Sequence, residues 1–302
     1  MKQNKLKPSI TKELRNKTIL VTGGAGSVGS SLVKKLLEYP VKSVRVLDYN
    51  ENELFKLKRT IHDDRLRFLF GNILDKDRVE MACNGVDIII HAAAIKNIEI
   101  SEFNPIETID VNVNGIINLI QIAMKYKIKK FLNISTDKAA AASTLYGNTK
   151  QLGERLVSWA GMHSDVVKFG SLRFGNVIET KGNVFEVWNE QVKENIPLSI
   201  TDPTMKRYFF HIDEAIDFVL KCLSLINFGE ICIPKMKLHT IGDLANEISK
   251  KQKIIGVRQG EKFEEILITE EERKNASELK DMWIVQTYDK IRTKTKFQKI
   301  QK

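Results

Sequence analysis

A glycine-rich turn between a predicted strand and a predicted helix constrains the fold of this chain most. Residues 18–22 read TILVT, a short apolar run with β-branched residues, and GGAGSVG and the helical pattern SSLVKKLLEY follow. Glycines in this context let backbone amides approach a pyrophosphate at the start of a helix. The turn therefore predicts a dinucleotide-binding unit, although its GxxGxxG spacing differs by one residue from GxGxxG. The alternative is a tight turn with a purely structural role.

Predicted strands and helices alternate after this turn for roughly 170 residues, as in folds built from βαβ units. We place strands at 41–48, 66–70, 86–91, 129–134 and 165–173 and helices at 51–60, 104–127 and 144–162. This alternation predicts an α/β fold, a Rossmann-type doubly wound parallel sheet with a smaller C-terminal substrate-binding domain. The predicted segments are a basic N-terminal arm at 1–17, an NAD-binding Rossmann domain at 18–175, a mainly substrate-binding domain at 176–285 that partly interleaves with the Rossmann domain, and a basic C-terminal tail at 286–302.

The net charge of +10 is concentrated at the two ends of the chain. Residues 1–17 and residues 286–302 each contain six Lys or Arg and one acidic residue, so each segment carries +5 and residues 18–285 sum to zero. A nucleic-acid enzyme usually has its basic patch on the folded body, so we expect no nucleic-acid partner. We expect the ends to fray and to aid solubility; attraction to an anionic membrane surface or an acidic partner is the alternative.

The chain has no apolar run of ~20 residues, the length of a membrane span, and its first residues lack the apolar segment of a secretory signal. Its three cysteines, Cys83, Cys222 and Cys232, are odd in number and widely spaced. They fit buried thiols in a reducing cytoplasm better than disulfides or a metal cluster. We therefore expect a cytoplasmic protein with no integral membrane segment and no metal site.

Asp48 ends the second predicted strand, 19 residues after Gly29. A carboxylate there accepts hydrogen bonds from the adenosine ribose hydroxyls and repels the additional phosphate of NADP. No arginine is adjacent, so the sequence favours NAD; the alternative is that Asp48 only caps the next helix. Asn72 and Ile73, after the third strand, are predicted to lie against the adenine. The predicted cofactor-binding residues are Gly23, Gly26, Ser27, Val28, Gly29, Asp48, Asn50, Asn72, Ile73, Ala92, Ala93, Tyr146 and Lys150.

Tyr146 and Lys150 are four residues apart on a predicted helix, so their side chains share one face of it. A nearby ammonium lowers the pKa of a phenol, which lets the tyrosine take a proton from an alcohol. The lysine can also hold the nicotinamide ribose. A YxxxK pair alone is common, but its place after a dinucleotide-binding turn and a fifth strand predicts an active site.

Five further stretches of the chain point to a known family. They are HAAAIKNIEISEFNPIETIDVNVNG, STDKAAAASTLYGNTK, RFGNVIETKGNVF, ITDPTMKRYFF and GVRQGEKFEEIL. With these stretches, from about residue 17 to residue 267, the chain resembles the UDP-N-acetylglucosamine 4,6-dehydratases, which belong to the extended short-chain dehydrogenase/reductases and serve bacterial and archaeal glycan synthesis. Related dTDP-glucose and GDP-mannose dehydratases carry Asp-Glu where this chain has Asp137-Lys138, and the Asp-Lys form is similar to the class that acts on UDP-GlcNAc.

This resemblance implies a catalytic set of Asp137, Lys138, Tyr146 and Lys150. Tyr146 would remove the proton of the C4 hydroxyl while NAD takes the C4 hydride. Lys138 would remove the C5 proton, Asp137 would protonate the departing C6 hydroxyl, and the hydride would return to C6. Because Lys138 must be neutral to act as a base, we expect burial to lower its pKa and to keep Asp137 protonated.

The same resemblance implies the substrate site and the assembly. Asn97, Asn183 and Gln259 depart from the residues usual in the family, which leaves the fine sugar specificity open. Family members form dimers or hexamers through the helices predicted at 104–127 and 144–162, so we expect a homo-oligomer. The implied substrate-binding residues are Lys96, which also contacts the cofactor, with Thr136, Asn176, Val184, Arg207, Arg258 and Glu261.

Three activities are consistent with this sequence. The first is dehydration of UDP-GlcNAc to a 4-keto-6-deoxy sugar; Tyr146 and the absence of membrane spans resemble the members that invert C5. The second is a nucleotide-sugar 4-epimerase, which shares Tyr146, Lys150 and NAD but has no need of Asp137 and Lys138. The third is a dinucleotide-sensing or scaffold protein on a retained fold, which needs none of the four.

Overall fold

The computed structural model describes residues 3–258 and 260–286, and one large sheet organises them. The described strands are β1 Thr18–Thr22, β2 Ser43–Asp48, β3 Leu66–Phe70, β4 Ile88–His91, β5 Lys130–Thr136, β6 Lys168–Phe174, β7 Asn176–Val177, β8 Leu198–Ile200, β9 Lys206–Phe210, β10 Phe228–Pro234, β11 Leu238–Thr240, β12 Gln252–Ile254, β13 Ala276–Glu278 and β14 Met282–Val285.

Helices connect most of these strands. They are α1 Gln3–Leu14, α2 Ser27–Leu37, α3 Glu51–Thr60, α4 Lys76–Cys83, α5 Ile98–Phe103, α6 Pro105–Ile109, a π-helical segment Asp110–Asn114, α7 Gly115–Lys125, a 3₁₀ turn Asp137–Ala139, α8 Leu145–Met162, α9 Val184–Lys193, α10 Ile212–Leu225, α11 Ile241–Ile248 and α12 Glu270–Lys274.

The large sheet has nine strands in the order β13-β14-β10-β6-β5-β4-β1-β2-β3. Six parallel pairings join the strands from β10 to β3, and β14 and β13 continue the sheet in antiparallel fashion. From β3 to β6 the spatial order of the strands is β3-β2-β1-β4-β5-β6, so the order reverses beside β1. This is the strand order of dinucleotide-binding folds. The predicted α/β class and parallel doubly wound sheet are therefore confirmed.

Apolar residues on both faces of the strands explain why the sheet is covered on both sides. Ile19 and Val21 of β1 belong to a core with α2 and α10, whereas Leu20 between them belongs to a core with α4, α7 and α8. Alternate side chains of a strand point to opposite faces, so a continuous apolar run requires helices on both. The three cysteines are buried free thiols, as predicted.

The predicted N-terminal arm contains a helix packed on this core. Ile10 and Leu14 of α1 are buried among the residues of α2 and α10. Glu13 forms an ion pair with Lys130 of β5, with 3.0 Å between Oε2 and Nζ. The expectation of a fraying end was wrong for these residues, because two apolar positions one helical turn apart outweigh the local excess of charge. The tail at 287–302 lies outside the described residues.

The helix predicted at 104–127 is several shorter helices. Pro105 begins α6, where its fixed backbone angle suits the first turn of a helix. A π-helical segment then separates α6 from α7. Asn112 of this segment explains the irregularity, because its side chain bonds both backbone groups of Ile95 and the hydroxyl of Thr149 on α8.

A smaller region covers the carboxyl ends of the parallel strands. It holds two small sheets, β11-β9-β7 and β12-β8, with α9 and α11. Its own apolar core is formed by Trp188, Leu198, Ile200, Met205, Ile241 and Ala245. The chain leaves the large sheet after β6 and builds part of this region. It returns to the large sheet with β10 and again with β13 and β14.

Candidate active site

The glycine turn after β1 packs directly against the chain leaving β4. Gly23 has φ +64°, and a Cβ there would lie 2.6 Å from Cα of Ala93. A Cβ on Gly29 would lie 2.2 Å from the carbonyl oxygen of Gly23, so a side chain cannot be accommodated at either position. Gly26 is the residue before α2, and its amide closes the turn on Gly23. The turn therefore places backbone without side chains at the start of α2. The backbone amides and the helix dipole favour the binding of an anion at this position.

Asp48 connects this turn to the end of β2. Its Oδ2 accepts a hydrogen bond of 3.0 Å from the amide of Ala25, and its Oδ1 accepts one of 3.0 Å from the amide of Asn50. The Asn50 side chain in turn caps α3 by accepting from the amide of Glu53. The carboxylate therefore has a fixed orientation beside the turn, as a ribose-binding carboxylate requires.

The two residues predicted to flank the adenine differ in exposure. Asn72 is exposed, and its Oδ1 accepts from the amide of Leu74. Ile73 is buried in the core with α4 and α7, so its side chain points away from the surface. Only the backbone of Ile73 is accessible to a ligand at this position.

The segment between β7 and α9 crosses the groove beside the glycine turn. The backbone amide of Lys181 donates to Oγ of Ser27 at 3.0 Å, and the ammonium of Lys181 pairs with Glu53 on α3. Lys96, which follows β4, donates from Nζ to the carbonyl of Lys181 at 3.1 Å. The glycine turn therefore has the oriented carboxylate of Asp48 and the segment that contains Lys181 as its direct neighbours.

Tyr146 and Lys150 are both buried on α8. Lys150 donates from Nζ to the carbonyl oxygen of Ile134 at 2.7 Å, and burial lowers its pKa to about 8. Burial also raises the pKa of Tyr146 to about 12, although the ammonium of Lys138 opposes this increase. The expected lowering of the tyrosine pKa is wrong, because burial outweighs the nearby positive charge.

Asp137 and Lys138 form a buried ion pair in the 3₁₀ turn that follows β5. Oδ1 of Asp137 accepts from Nζ of Lys138 at 3.0 Å and from the hydroxyl of Thr136 at 2.9 Å. A second carboxylate, that of Glu265, lies 3.6 Å from the same ammonium. Burial alone would lower the pKa of Lys138, but Asp137 and Glu265 outweigh it and raise the pKa. The expectation that burial lowers the pKa of Lys138 and keeps the lysine neutral is therefore wrong.

Two carboxylate oxygens in this cluster remain without a hydrogen-bond partner among the described residues. They are Oδ2 of Asp137 and Oε2 of Glu265, and both are buried. Nζ of Lys262 lies 3.8 Å from the latter and donates to the carbonyl of Ala140. Buried polar groups are nearly always paired, so these oxygens mark a place where a bound water or a ligand would supply the missing donors.

A cavity of about 540 Å³ lies between this cluster and the smaller region. It brings together most of the predicted substrate-binding residues, while Thr136 lies behind its wall in the hydrogen bond to Asp137. Arg258 pairs with Glu99 at 3.2 Å, and Arg207 donates to the carbonyls of Lys206 and Phe263. The predicted residues that line it are Lys96, Lys138, Asn176, Val184, Arg207, Arg258 and Glu261.

The residues that depart from the family pattern have structural roles in this chain. Asn97 caps α5 by accepting from the amide of Ile100 at 2.9 Å. Asn183 caps α9 by accepting from the amide of Glu186 at 3.0 Å. Both also line the cavity, whereas Gln259 lies outside the described residues.

Sequence reasoning missed Glu265 and Lys262, which complete the charged cluster. Both stand in GEKFEEIL, the stretch from which only Glu261 was selected. Nothing in the sequence places this stretch beside Lys138. The structure does, because Lys262 donates to the carbonyl of Ala140 and Ser143 donates to the carbonyl of Gly260.

A buried arginine fixes the helix that carries Tyr146. Arg173 of β6 binds both oxygens of Glu154 on α8, at 3.0 and 2.6 Å. It also binds both oxygens of Glu272 on α12, at 2.9 and 2.7 Å. These carboxylates outweigh the effect of burial and raise the pKa of Arg173. The network ties α8 to the sheet and to the last part of the described chain.

The parallel sheet, the glycine turn after β1, the acidic end of β2 and the Tyr-Lys pair on α8 together define an extended short-chain dehydrogenase/reductase. The cavity lined by Lys138 and the smaller region lies beside these features. Within this class, the chain belongs to the polysaccharide biosynthesis protein family, whose sequence profile matches residues 19–287.

Among the similar proteins, some are named as nucleotide-sugar enzymes and one is named as uncharacterized. An uncharacterized membrane protein of Methanocaldococcus jannaschii is 42% identical over 91% of this chain and 87% of its own length. A UDP-N-acetylglucosamine 4,6-dehydratase (inverting) of Campylobacter jejuni is 36% identical over 85% of this chain and 78% of its own. A UDP-glucose 4-epimerase of Rickettsia bellii is 32% identical over 87% of this chain and 81% of its own length.

Solved structures agree with this fold. Pen from Bacillus thuringiensis superposes with a TM-score of 0.87 at 32% identity, covering 90% of this chain and 88% of that one. The dTDP-glucose 4,6-dehydratase DesIV of Streptomyces venezuelae, solved with NAD bound, has a TM-score of 0.76 at 22% identity. The match covers 85% of this chain and 90% of that one. In the described part of the chain, we find no helix whose length and apolar character would let it cross a membrane.

Proposed function

We propose that this protein catalyses the NAD-dependent 4,6-dehydration of UDP-N-acetylglucosamine to a UDP-4-keto-6-deoxy sugar, with inversion at C5, for the synthesis of a surface glycan or glycoprotein sugar. The buried Asp137–Lys138 pair carries the proposal. It lies at the wall of a cavity large enough for a nucleotide sugar, on the turn before the helix of Tyr146. An acid and a base in contact suit the loss of a proton and a hydroxyl from adjacent carbons.

The cofactor groove fits this reaction. The glycine turn and Asp48 would hold the dinucleotide, and Lys150 would contact its nicotinamide ribose. When bound, the cofactor would supply a hydride acceptor for C4 and a hydride donor for C6. The raised pKa of Tyr146 makes the neutral phenol its resting form, so it must release its own proton to solvent before it can act as a base. As a phenolate, Tyr146 takes the proton of the C4 hydroxyl; loss of this proton together with the C4 hydride leaves a C4 ketone, which acidifies the proton on C5.

The proton on Lys138 must move before the second stage. The raised pKa of Lys138 leaves the proton on the lysine, and Asp137 lies 3.0 Å away, within transfer distance. Transfer to Asp137 leaves a neutral amine and a carboxylic acid. The amine of Lys138 takes the C5 proton, and the electron pair of the C5–H bond delocalises onto the C4 ketone. Asp137 then protonates the C6 oxygen, the C6–O bond breaks, and water leaves.

A UDP-sugar 4-epimerase is the second candidate, because the Rickettsia bellii relative bears that name. An epimerase also uses a Tyr-Lys pair and a nicotinamide cofactor, but it removes neither the C5 proton nor the C6 hydroxyl. It would give no role to the contact between Lys138 and Asp137. A sensor or scaffold protein would need none of the buried charged groups, whose burial costs free energy.

Incubation of the purified protein with UDP-GlcNAc, followed by mass spectrometry, tests the proposal. We expect a product lighter by one water. A new sugar of unchanged mass would instead identify an epimerase. NMR of the fresh product in ordinary water should show the L-arabino configuration at C5, from ring-proton couplings and through-space contacts to H5. A D-xylo product would refute inversion but leave the dehydration assigned.

The purified protein should retain NAD(H) in preference to NADP(H), because the fixed carboxylate of Asp48 would repel an additional phosphate near the ribose. Denaturation followed by chromatography of the released nucleotide measures this. Asp48→Asn should weaken the preference, whereas Asp63→Asn, on the loop before β3, should leave it unchanged. Recovery of mainly NADP(H) from the unmodified protein would contradict the assignment.

We also propose a homo-oligomer that uses α5 to α8. Several large apolar side chains on these helices are exposed, including Phe103 at 85% and Ile106 at 70%. Trp159 and Leu152 on α8 extend this surface. Contiguous exposed apolar residues usually mark an interaction site, and a second copy of the same chain is the partner we assign to it.

A further inference from the structure

Glu265 is a buried carboxylate that the four proposed catalytic residues leave without a role. It belongs to the segment between β12 and α12, and its backbone amide donates to the carbonyl of Lys206 on β9. Its Oε1 lies 3.6 Å from Nζ of Lys138, and its Oε2 has no hydrogen-bond partner among the described residues. A carboxylate kept out of water at this place needs an explanation, because its desolvation is costly.

The distances of the two carboxylates from Lys138 differ in a useful way. Asp137 is within hydrogen-bond distance of the ammonium, at 3.0 Å, and can exchange a proton with it. Glu265, at 3.6 Å, is too far for a strong hydrogen bond but near enough for charge interaction. Among the described residues, Asp137 and Glu265 have the two carboxylates that lie within 4 Å of the Lys138 ammonium.

We propose that Glu265 is a positioning residue that balances the positive charge of Lys138 after the lysine has taken the C5 proton and before Asp137 has released its own. This inference rests on the proposed dehydration. In that interval the C5–H bond is broken, the lysine is an ammonium, and Asp137 is still a neutral acid. Asp137 therefore cannot serve as the counter-ion, and Glu265 is the carboxylate that remains.

The surrounding charges are consistent with this role. Without the carboxylate of Glu265, Asp137 alone would balance the positive charges of Lys138 and Lys262. Once Asp137 is protonated, neither of the two carboxylates would balance them. The titratable or charged groups that face this cluster are Asp137 beside Lys138, Tyr146 on α8, Glu265 and Lys262 on the segment after β12, and Tyr208 and Arg207 on β9.

The test compares Glu265→Gln with Glu264→Gln. Glu264 is the adjacent residue, is exposed and pairs with Lys206, so its variant removes the same charge outside the cluster. For Glu265→Gln we expect kcat for water loss from UDP-GlcNAc to fall about 10- to 100-fold, with KM changed by no more than about twofold. Glu264→Gln should retain kcat within about twofold. Glu265→Asp should recover part of the rate, because it keeps the charge.

A pH profile separates this role from a merely structural one. The reactive form of the Asp137–Lys138 pair holds one shared proton, so the rate rises with pH as the pair loses a second proton. The Glu265 charge favours the protonated cluster and raises the pKa of Lys138, so its loss should move the acidic limb of the kcat profile to lower pH in Glu265→Gln. In Glu265→Asp the limb should stay close to that of the unmodified enzyme.

The outcomes distinguish failure of this inference from failure of the proposed function. If the unmodified enzyme removes no water from UDP-GlcNAc, the function fails and the role of Glu265 fails with it. If the unmodified enzyme dehydrates and Glu265→Gln matches it in kcat and pH profile, only the role of Glu265 is refuted. An equal loss of rate in Glu265→Gln and Glu265→Asp with an unmoved limb also refutes it. Retention of the nucleotide and a thermal unfolding transition show that each variant is folded. If Glu265→Gln does not fold, the test is Glu265→Asp, in which kcat should fall by less than about tenfold; a larger fall would refute the role of Glu265.

Discussion

Lys138→Ala should lower the rate of dehydration about 10³-fold while the earlier hydride transfer from the sugar persists. The reason is that Lys138 is the proposed base for C5, and general bases contribute about 10²- to 10⁴-fold. The C4 proton is taken by Tyr146, whose helix does not depend on the lysine side chain. Absorbance of the reduced nicotinamide should therefore increase when UDP-GlcNAc is added, while mass spectrometry detects no loss of water.

Lys235→Ala is a suitable control, since Lys235 pairs with Glu278 near the surface, away from the cavity. It should dehydrate at the rate of the unmodified enzyme. If Lys138→Ala dehydrates at nearly that rate too, another group is the base. If it produces neither reduced nicotinamide nor product while still binding the nucleotide sugar, then Lys138 acts before C5 deprotonation.

Arg173→Met should lower the free energy of unfolding by about 3–5 kcal/mol. Arg173 is buried and binds Glu154 and Glu272, and removal of one partner from a buried ion pair leaves the other charge uncompensated. Denaturant unfolding followed by tryptophan fluorescence measures the change. Activity should fall as well, because Glu154 lies on the same helix as Tyr146 and Lys150.

Arg155→Met provides the matched control on α8. Arg155 is exposed, so its replacement should change the free energy of unfolding by less than about 0.5 kcal/mol. Addition of Glu154→Gln to Arg173→Met should recover part of the lost stability, because it removes the uncompensated buried carboxylate. A change below about 1 kcal/mol in Arg173→Met alone would show that the network contributes little to folding.

The alternation of strands and helices from β1 to β6 and the glycine turn could be predicted from sequence because their signals are local. Each parallel strand is a short apolar run, and the glycine turn and Asp48 directly follow two of them. The helix at the N-terminus was missed because six basic residues in 1–17 hide the two buried positions, Ile10 and Leu14. That helix is stabilised by contacts with α10, which lies some 200 residues later in the chain.

The charge of Lys138 could not be predicted for a similar reason. Glu265 is 127 residues away in the sequence, and only the fold brings it to 3.6 Å. Motif reasoning identified Asp137 as the neighbour of Lys138 but not the second carboxylate, so it predicted a neutral lysine. Composition and spacing report which groups can carry a proton; the distances between them decide which group holds it.

The return of the chain to its large sheet has a consequence for how the protein unfolds. β10 and β14 extend the sheet beyond β6, although the residues that line the cavity lie in the sequence between and around them. A chain ending at Gly175 would leave β6 as an unprotected edge, open to pairing with other chains. We therefore expect one cooperative melting transition rather than two, and a fragment of residues 1–175 that aggregates. Nucleotide binding and sugar binding should be lost together on heating.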